Sequence, residues 1–246
     1  MSKGKKRLDL LLVEKGFALN RQKAQAITMA GLVRVNGKKV DKPGHLLTPS
    51  ATIDITGNDN PYASRGGLKL DAALRAFGID VKGLTMLDVG ASTGGFTSCL
   101  LEHGAKKVIA VDVGYGQLAW SLRNDPRVNL KERTNIRHLS SRSITENIDG
   151  AVIDTSFISL RIVIPETMRF LRSGSFIIAL IKPQFEAGKG MVGKGGVIRD
   201  EELQRKIVDG LVEHFSILGL SVLGTFESPV KGAKGNKEFF AYIRNQ

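Results

Sequence analysis

From Leu68 onward the chain alternates strand-sized apolar runs with helix-period segments, and few architectures accept that order. Strands are expected near Thr85–Val89, Lys107–Val111, Val128–Glu132, Ala151–Asp154, Phe176–Ile181, Ser221–Glu227 and Phe239–Arg244. Helices are expected over Leu68–Phe77, Gly95–His103, Leu118–Asn124, Arg161–Phe170 and Glu201–Leu218. A strand that returns through a helix lies parallel to its predecessor, so this order builds a parallel sheet with helices on both faces. The last two strands follow each other without a helix and should form an antiparallel hairpin at one edge. The expected fold is α/β, a doubly wound and mostly parallel sheet over residues 68–246 with a small α+β domain before it.

That smaller domain, residues 1–58, reads as two short helices and tight β structure. Leu8, Leu11 and Leu12 share a face, and Gly16 stops the first helix. Asn20 can cap a second helix over Arg21–Ala30 by accepting from a first-turn N–H, and Gly31 ends it. Val33-Arg34-Val35 alternates like a strand, Asn36-Gly37 is a strong hairpin signal, and Thr52–Ile55 reads as a further strand. Asn, Asp, Pro, Ser and Gly residues then mark a linker at 59–67.

Charge separates the two parts further. Residues 1–58 carry 11 Lys and Arg against 4 Asp and Glu, a net of +7 out of +12 for the whole chain. Such asymmetry points to a polyanionic partner rather than to solubility alone. The small domain, with Ala30–Gly37 at its centre, resembles the RNA-binding fold of a small-subunit ribosomal protein, also found in pseudouridine synthases and bacterial tyrosyl-tRNA synthetases. Arg7, Arg21, Lys23, Lys38 and Lys39 are its expected phosphate contacts, because long cationic side chains neutralise backbone charge without reading bases. Other classes fit poorly. The longest apolar runs are strand-sized, no apolar core follows the basic N-terminus, and no membrane association is expected. Cys99 is the only cysteine, which excludes an internal disulfide and suits the cytoplasm, and four scattered His give no zinc-ligand spacing, so no metal is expected.

Met86–Phe96 runs strand, glycine-rich turn, helix start. Gly90, Ala91, Ser92, Thr93, Gly94, Gly95 and Phe96 form a loop whose glycines let backbone approach a ligand. A phosphate-binding P-loop needs Gly-Lys followed by Ser or Thr, and this turn has no Lys. Its glycines, at 90, 94 and 95, also miss the G-x-G-x-x-G spacing of dinucleotide sites. S-adenosylmethionine, with ribose hydroxyls and a carboxylate, fits better. Asp112 ends the next strand, where a carboxylate can accept from both ribose hydroxyls, and Asn135 after the third strand is a candidate contact for adenine. On the loop alone, another nucleotide cofactor and a structural turn are the competing readings.

Four charged residues stand at element ends: Lys69, Asp154, Lys182 and Glu238. A sugar hydroxyl must lose its proton as it attacks a sulfonium methyl, and an amine made less basic by burial or by a second cation can take it. Lys182 is the candidate base, with Lys69, Asp154 and Glu238 orienting it and the ribose. Buried structural salt bridges are the alternative. Phe157 and Phe185 follow the same strands and suit either a stacked base or the core. The loop Glu186–Val197, with five Gly and two Lys, reads as a mobile cover or an RNA contact.

Ser64–Leu70, Asp88–Phe96, Ile153–Ser159 and Ile181–Glu186 resemble the TlyA (hemolysin A) family across nearly the whole chain. That resemblance implies a small RNA-binding domain joined to a Rossmann-like, FtsJ-like methyltransferase domain acting on the ribose 2′-hydroxyl of cytidine in ribosomal RNA. It assigns Lys69, Asp154, Lys182 and Glu238 as the catalytic tetrad, places Arg65 among the RNA contacts, and names ribosomal RNA or ribosomal subunits as partner, with no obligate protein partner. Ser98-Cys99 departs from the family pattern, which has an acidic residue after Gly-Gly-Phe-Thr. A non-catalytic RNA-binding or ribosome-assembly factor is the second reading, and a membrane-lytic protein the third.

Overall fold

Leucines at positions 8, 11 and 12 fall on one side of a short helix and are withdrawn from water, so the N-terminal unit has a core despite its charge. In the computed structural model the chain divides into two units, Met1–Pro61 and Tyr62–Gln246. Residues 4–18, 20–55, 60–188, 190–193 and 195–244 are described. In the first unit β1 (Lys6–Arg7) leads into α1 (Leu8–Glu14), followed by α2 (Arg21–Met29). The Asn20 side chain accepts from Lys23 N at 2.9 Å, the expected cap of α2. Then come β2 (Val33–Val35), β3 (Lys38–Lys39), β4 (Leu46–Leu47) and β5 (Ile53–Ile55). Strand β2 is central in a three-stranded sheet ordered β3-β2-β5, and β1 pairs with β4. Asn36 and Gly37 both have positive φ, +49° and +78°, the conformation a two-residue hairpin requires.

The second unit opens with α3 (Arg65–Phe77), three residues earlier than expected. Ser64 caps it by accepting from Gly66 N, so Gly66 and Gly67 form its first turn rather than a linker. Both serve close packing. A Cβ on Gly67 would lie 2.3 Å from Tyr62, and one on Gly95 would lie 3.0 Å from Gly67 N. The chain continues through β6 (Thr85–Val89), α4 (Gly95–Glu102), β7 (Lys107–Val111), α5 (Trp120–Arg123), β8 (Val128–Lys131), β9 (Ile148–Ile153), α6 (Leu160–Met168) and β10 (Leu171–Ile181). It ends with α7 (Pro183–Glu186), α8 (Glu201–Ile217), β11 (Ser221–Glu227) and β12 (Phe239–Arg244).

One seven-stranded sheet results, in the order β11-β12-β10-β9-β6-β7-β8. Strands β8, β7, β6, β9 and β10 are parallel, and β12 is antiparallel to both β10 and β11, the expected edge hairpin. Each face has its own core. Leu160, Val163, Leu211 and Phe215 of α6 and α8 cover one, and Leu70, Leu74, Phe96 and Leu100 of α3 and α4 the other. The one-turn α7 was not expected. Pro183 opens it, where its missing N–H costs no hydrogen bond. In the loop that follows, Gly193 bridges Val197, while Lys189 and Lys194 lie outside the described residues.

Candidate active site

Strand order reverses at β6: the chain runs to β7 and β8 on one side and to β9 and β10 on the other. Ligands of open α/β sheets bind in the crevice beyond such a point. There the loop after β6 lies hard against the end of β9. A Cβ on Gly90, whose φ is +90°, would sit 2.6 Å from Asp154 O, so only glycine lets the two segments approach. The cleft opens to solvent and is lined by Gly90, Ala91, Ser92, Thr93, Gly95 and Phe96, with Ser64, Gly66, Lys69 and Asp154. Gly94 instead turns into the interior, where a Cβ would strike Leu122 at 2.2 Å.

Asp112 stands at the end of β7, accepting from Ser92 N at 2.7 Å through one oxygen and from Gly114 N at 2.6 Å through the other. Each oxygen keeps a second lone pair for a hydroxyl donor. Ser92 itself has φ +49°, a strained conformation held by this bond. Asn135 does not line the cleft. Its side-chain oxygen caps the turn Ile136–His138, accepting from Arg137 N at 3.1 Å.

The four charged residues form two ion pairs at this edge. Lys182 follows Ile181, Glu238 precedes Phe239, and Ile181 and Phe239 are directly paired across β10 and β12. Lys69 Nζ donates to Glu238 Oε2 at 2.5 Å, with the lysine and glutamate side chains 11% and 3% exposed. Lys182 Nζ forms an ion pair with Asp154 Oδ1 at 2.5 Å and donates to Thr155 O and Ser156 Oγ, both at 3.0 Å. The Asp154 side chain as a whole stays 23% exposed. Lys69 and Asp154 both face the cleft, so one member of each pair reaches the ligand space.

Several groups near the site were not singled out from sequence. Asp88, one residue before the loop's strand ends, is fully buried and accepts from Thr97 Oγ1 at 2.6 Å. Burial without a compensating cation pushes its carboxyl up to about 7. The signal was present, as a carboxylate inside the apolar run Met86–Val89. Glu186 is also raised by burial, and it accepts from Ser159 Oγ at 2.6 Å and Leu160 N at 2.8 Å. Phe157 is 89% exposed with φ +62°, and its ring centroid lies 4.7 Å from that of Phe185.

Of the expected phosphate contacts, Arg7 and Arg21 are partly engaged: both donate to Asp9, which is fully buried and held well below the usual carboxylate range, first by Arg7. Lys23, Lys38 and Lys39 are exposed and form no ion pair among the described residues. Arg65 is exposed at the start of α3, donating to Lys231 O at 3.0 Å.

This cleft, with its glycine turn, ribose-height carboxylate and facing lysine–carboxylate pairs on a doubly wound sheet, defines the class of S-adenosylmethionine-dependent methyltransferases. Residues 62–245 match the FtsJ-like methyltransferase family and residues 6–53 the S4 domain. The chain belongs to the TlyA (hemolysin A) family of FtsJ-like methyltransferases. It is 45% identical over 241 residues to the 16S/23S rRNA (cytidine-2'-O)-methyltransferase TlyA of Mycobacterium tuberculosis, covering 98% of this chain and 90% of that one. It is 44% identical over 238 residues to Hemolysin A of Brachyspira hyodysenteriae, covering 96% and 99%. A solved structure of a hemolysin candidate from Streptococcus thermophilus superposes with a TM-score of 0.77 at 40% identity, covering 99% of this chain and 90% of that one. Among the described residues, no helix is long and apolar enough to cross a membrane.

Proposed function

We propose that this protein methylates the ribose 2′-hydroxyl of a cytidine in ribosomal RNA, in the cytoplasm. The observation that carries the reading is the pair of lysine–carboxylate contacts, Lys69–Glu238 and Lys182–Asp154, bounding a cleft that begins at the Gly90 turn. S-adenosylmethionine supplies an electrophilic methyl group when bound. The residues present suit it. The Gly90–Phe96 loop offers close backbone, and Asp112 keeps lone pairs for ribose hydroxyls.

The substrate hydroxyl loses its proton as its oxygen bonds to the methyl carbon and the carbon–sulfur bond breaks. Lys182 Nζ is the acceptor of that proton. Asp154, Thr155 O and Ser156 Oγ hold the amine in one place, so that in its neutral form its lone pair meets the hydroxyl and takes the proton. Lys69, fixed by Glu238, faces the same space and steadies charge on the sugar oxygen. The S4-type unit supplies affinity for the RNA backbone through Lys23, Lys38, Lys39 and the outer edges of Arg7 and Arg21.

Incubating the protein with labelled S-adenosylmethionine and ribosomal subunits, then mapping the modified nucleosides by mass spectrometry, tests this reading. Label on a cytidine ribose is expected. Label on a base, or none on either subunit despite cofactor binding, overturns it.

A further inference from the structure

Beside the cofactor cleft lies a second, shallow groove lined by Arg65, Lys69, Lys231, Lys234 and the backbone of Gly232–Gly235. Lys69 borders both spaces, so a strand leaving the cleft on that side passes directly into the groove. No carboxylate lines it, and the nearest one, Glu238, is buried and already bound to Lys69. The Lys231 ammonium makes no ion pair or hydrogen bond among the described residues. Lys69 is neutralised by Glu238 and the Lys234 ammonium donates to Gly195 O at 2.8 Å, but Arg65, Lys231 and Lys234 have no carboxylate partner, and together they favour an anion in the groove.

The segment that carries two of them is tied down by hydrogen bonds and one close glycine approach. Gly232 packs so tightly over the active site that a Cβ there would lie 1.8 Å from Glu238 Oε1. Gly232 N donates to Asn236 O at 2.9 Å, and the Asn236 amide donates to Gly196 O and Ala233 O while its oxygen accepts from Ile198 N. Lys234 has φ +57°, a strain that the surrounding bonds must hold in place. Arg65 is tied to the same segment through Lys231 O. The cations are thus presented on a fixed frame at a set offset from the reacting residues, which is what positioning a polymer backbone requires.

We propose that this groove is a phosphate clamp for the RNA backbone next to the methylated ribose, with Lys231, Lys234 and Arg65 as its contacts. The clamp deepens the function proposed above and rests on RNA being the substrate. Its residues touch phosphates and not the reacting atoms. They set how the chain enters the cleft, while the S4-type unit binds elsewhere on the RNA.

The double variant Lys231→Ala/Lys234→Ala tests it with ribosomal subunits as substrate. Both side chains are exposed, so folding should hold, and an unchanged melting temperature checks this. Removing two phosphate contacts should raise KM for RNA about tenfold and lower the slope of log KM against log salt by about 1.5 to 2. S-adenosylmethionine affinity and kcat should stay at wild-type values, and Lys231→Arg/Lys234→Arg should restore KM. An unchanged KM and salt slope overturns the clamp. Should wild-type protein fail to methylate ribosomal RNA, the same slope is read from binding of a short unstructured RNA oligonucleotide, so failure of the clamp stays distinct from failure of the assigned reaction.

Discussion

Asp9 in the N-terminal unit and Asp154 in the catalytic unit are both drawn out of bulk water, yet they are treated in opposite ways. Asp9 accepts from Arg7 through both oxygens, and from Arg21 and Gln25. Nothing is left for a ligand. Asp154, its side chain 23% exposed, faces the cleft with one oxygen 2.5 Å from Lys182 Nζ, and Asp88 behind it keeps a buried oxygen without a hydrogen bond. A saturated buried carboxylate stabilises a fold, whereas an unsaturated one costs stability and persists where another group must arrive. The same contrast holds for the backbone. Of the non-glycine residues with positive φ, Ser92 lines the cleft and Lys234 the groove, whereas Asn36 in the first unit only closes a hairpin.

If that contrast is correct, substitutions at the unsaturated sites should cost activity and those at the saturated site should cost stability. The largest effect is expected for Asp154→Asn, which keeps the shape but removes the charge beside Lys182. Methyl transfer should fall about a thousandfold in kcat at an unchanged melting temperature. Asp9→Ala should instead lower stability by about 2 kcal/mol, less than for a fully buried pair because both arginines keep their outer edges in water. Denaturant titration measures this, and S-adenosylmethionine affinity should be unaltered.

Asp88 sharpens the comparison through pH. Its folded-state value of about 7 lies above the ordinary 3.8, so the fold favours the protonated form. The stability it contributes is fully present below about pH 4 and is lost as pH rises through 7. Asp88→Asn cannot ionise, and its stability relative to wild type should improve by about 4 kcal/mol as pH rises from 4 through 7, then level off. Parallel stability curves would remove the contrast. The smallest effect is expected at Phe157. Its replacement by Ala should raise KM for RNA about tenfold with no loss of stability, as expected for a stacking platform.

Much of this was legible in the chain because period and position carry physical meaning. The strand–helix alternation admitted few folds, and the four charged residues come together as two ion pairs at the strand ends beside the cleft, Lys69 from within α3 rather than from an element end. Two kinds of information were not legible. Gly66-Gly67 reads as a linker by composition, yet packs against α4, because a close helix approach and a flexible turn use the same residue. Asn135 after a strand suits either a ligand or a turn, and only geometry separates them. Lys231 and Lys234 sit in a segment without periodicity, so nothing in the sequence places them beside Lys69. Arg7 and Arg21 were read as RNA contacts without their partner, because Asp9 reaches Arg21 only through the fold.

The assignment of Lys182 as proton acceptor is tested most directly by comparing methyl transfer and S-adenosylmethionine binding in Lys182→Ala. The account expects transfer to ribosomal RNA to vanish while the cofactor's Kd stays within about threefold of wild type, since the Gly90 loop and Asp112 are untouched. Transfer at a wild-type rate would contradict it, and so would loss of cofactor binding in proportion to the loss of activity.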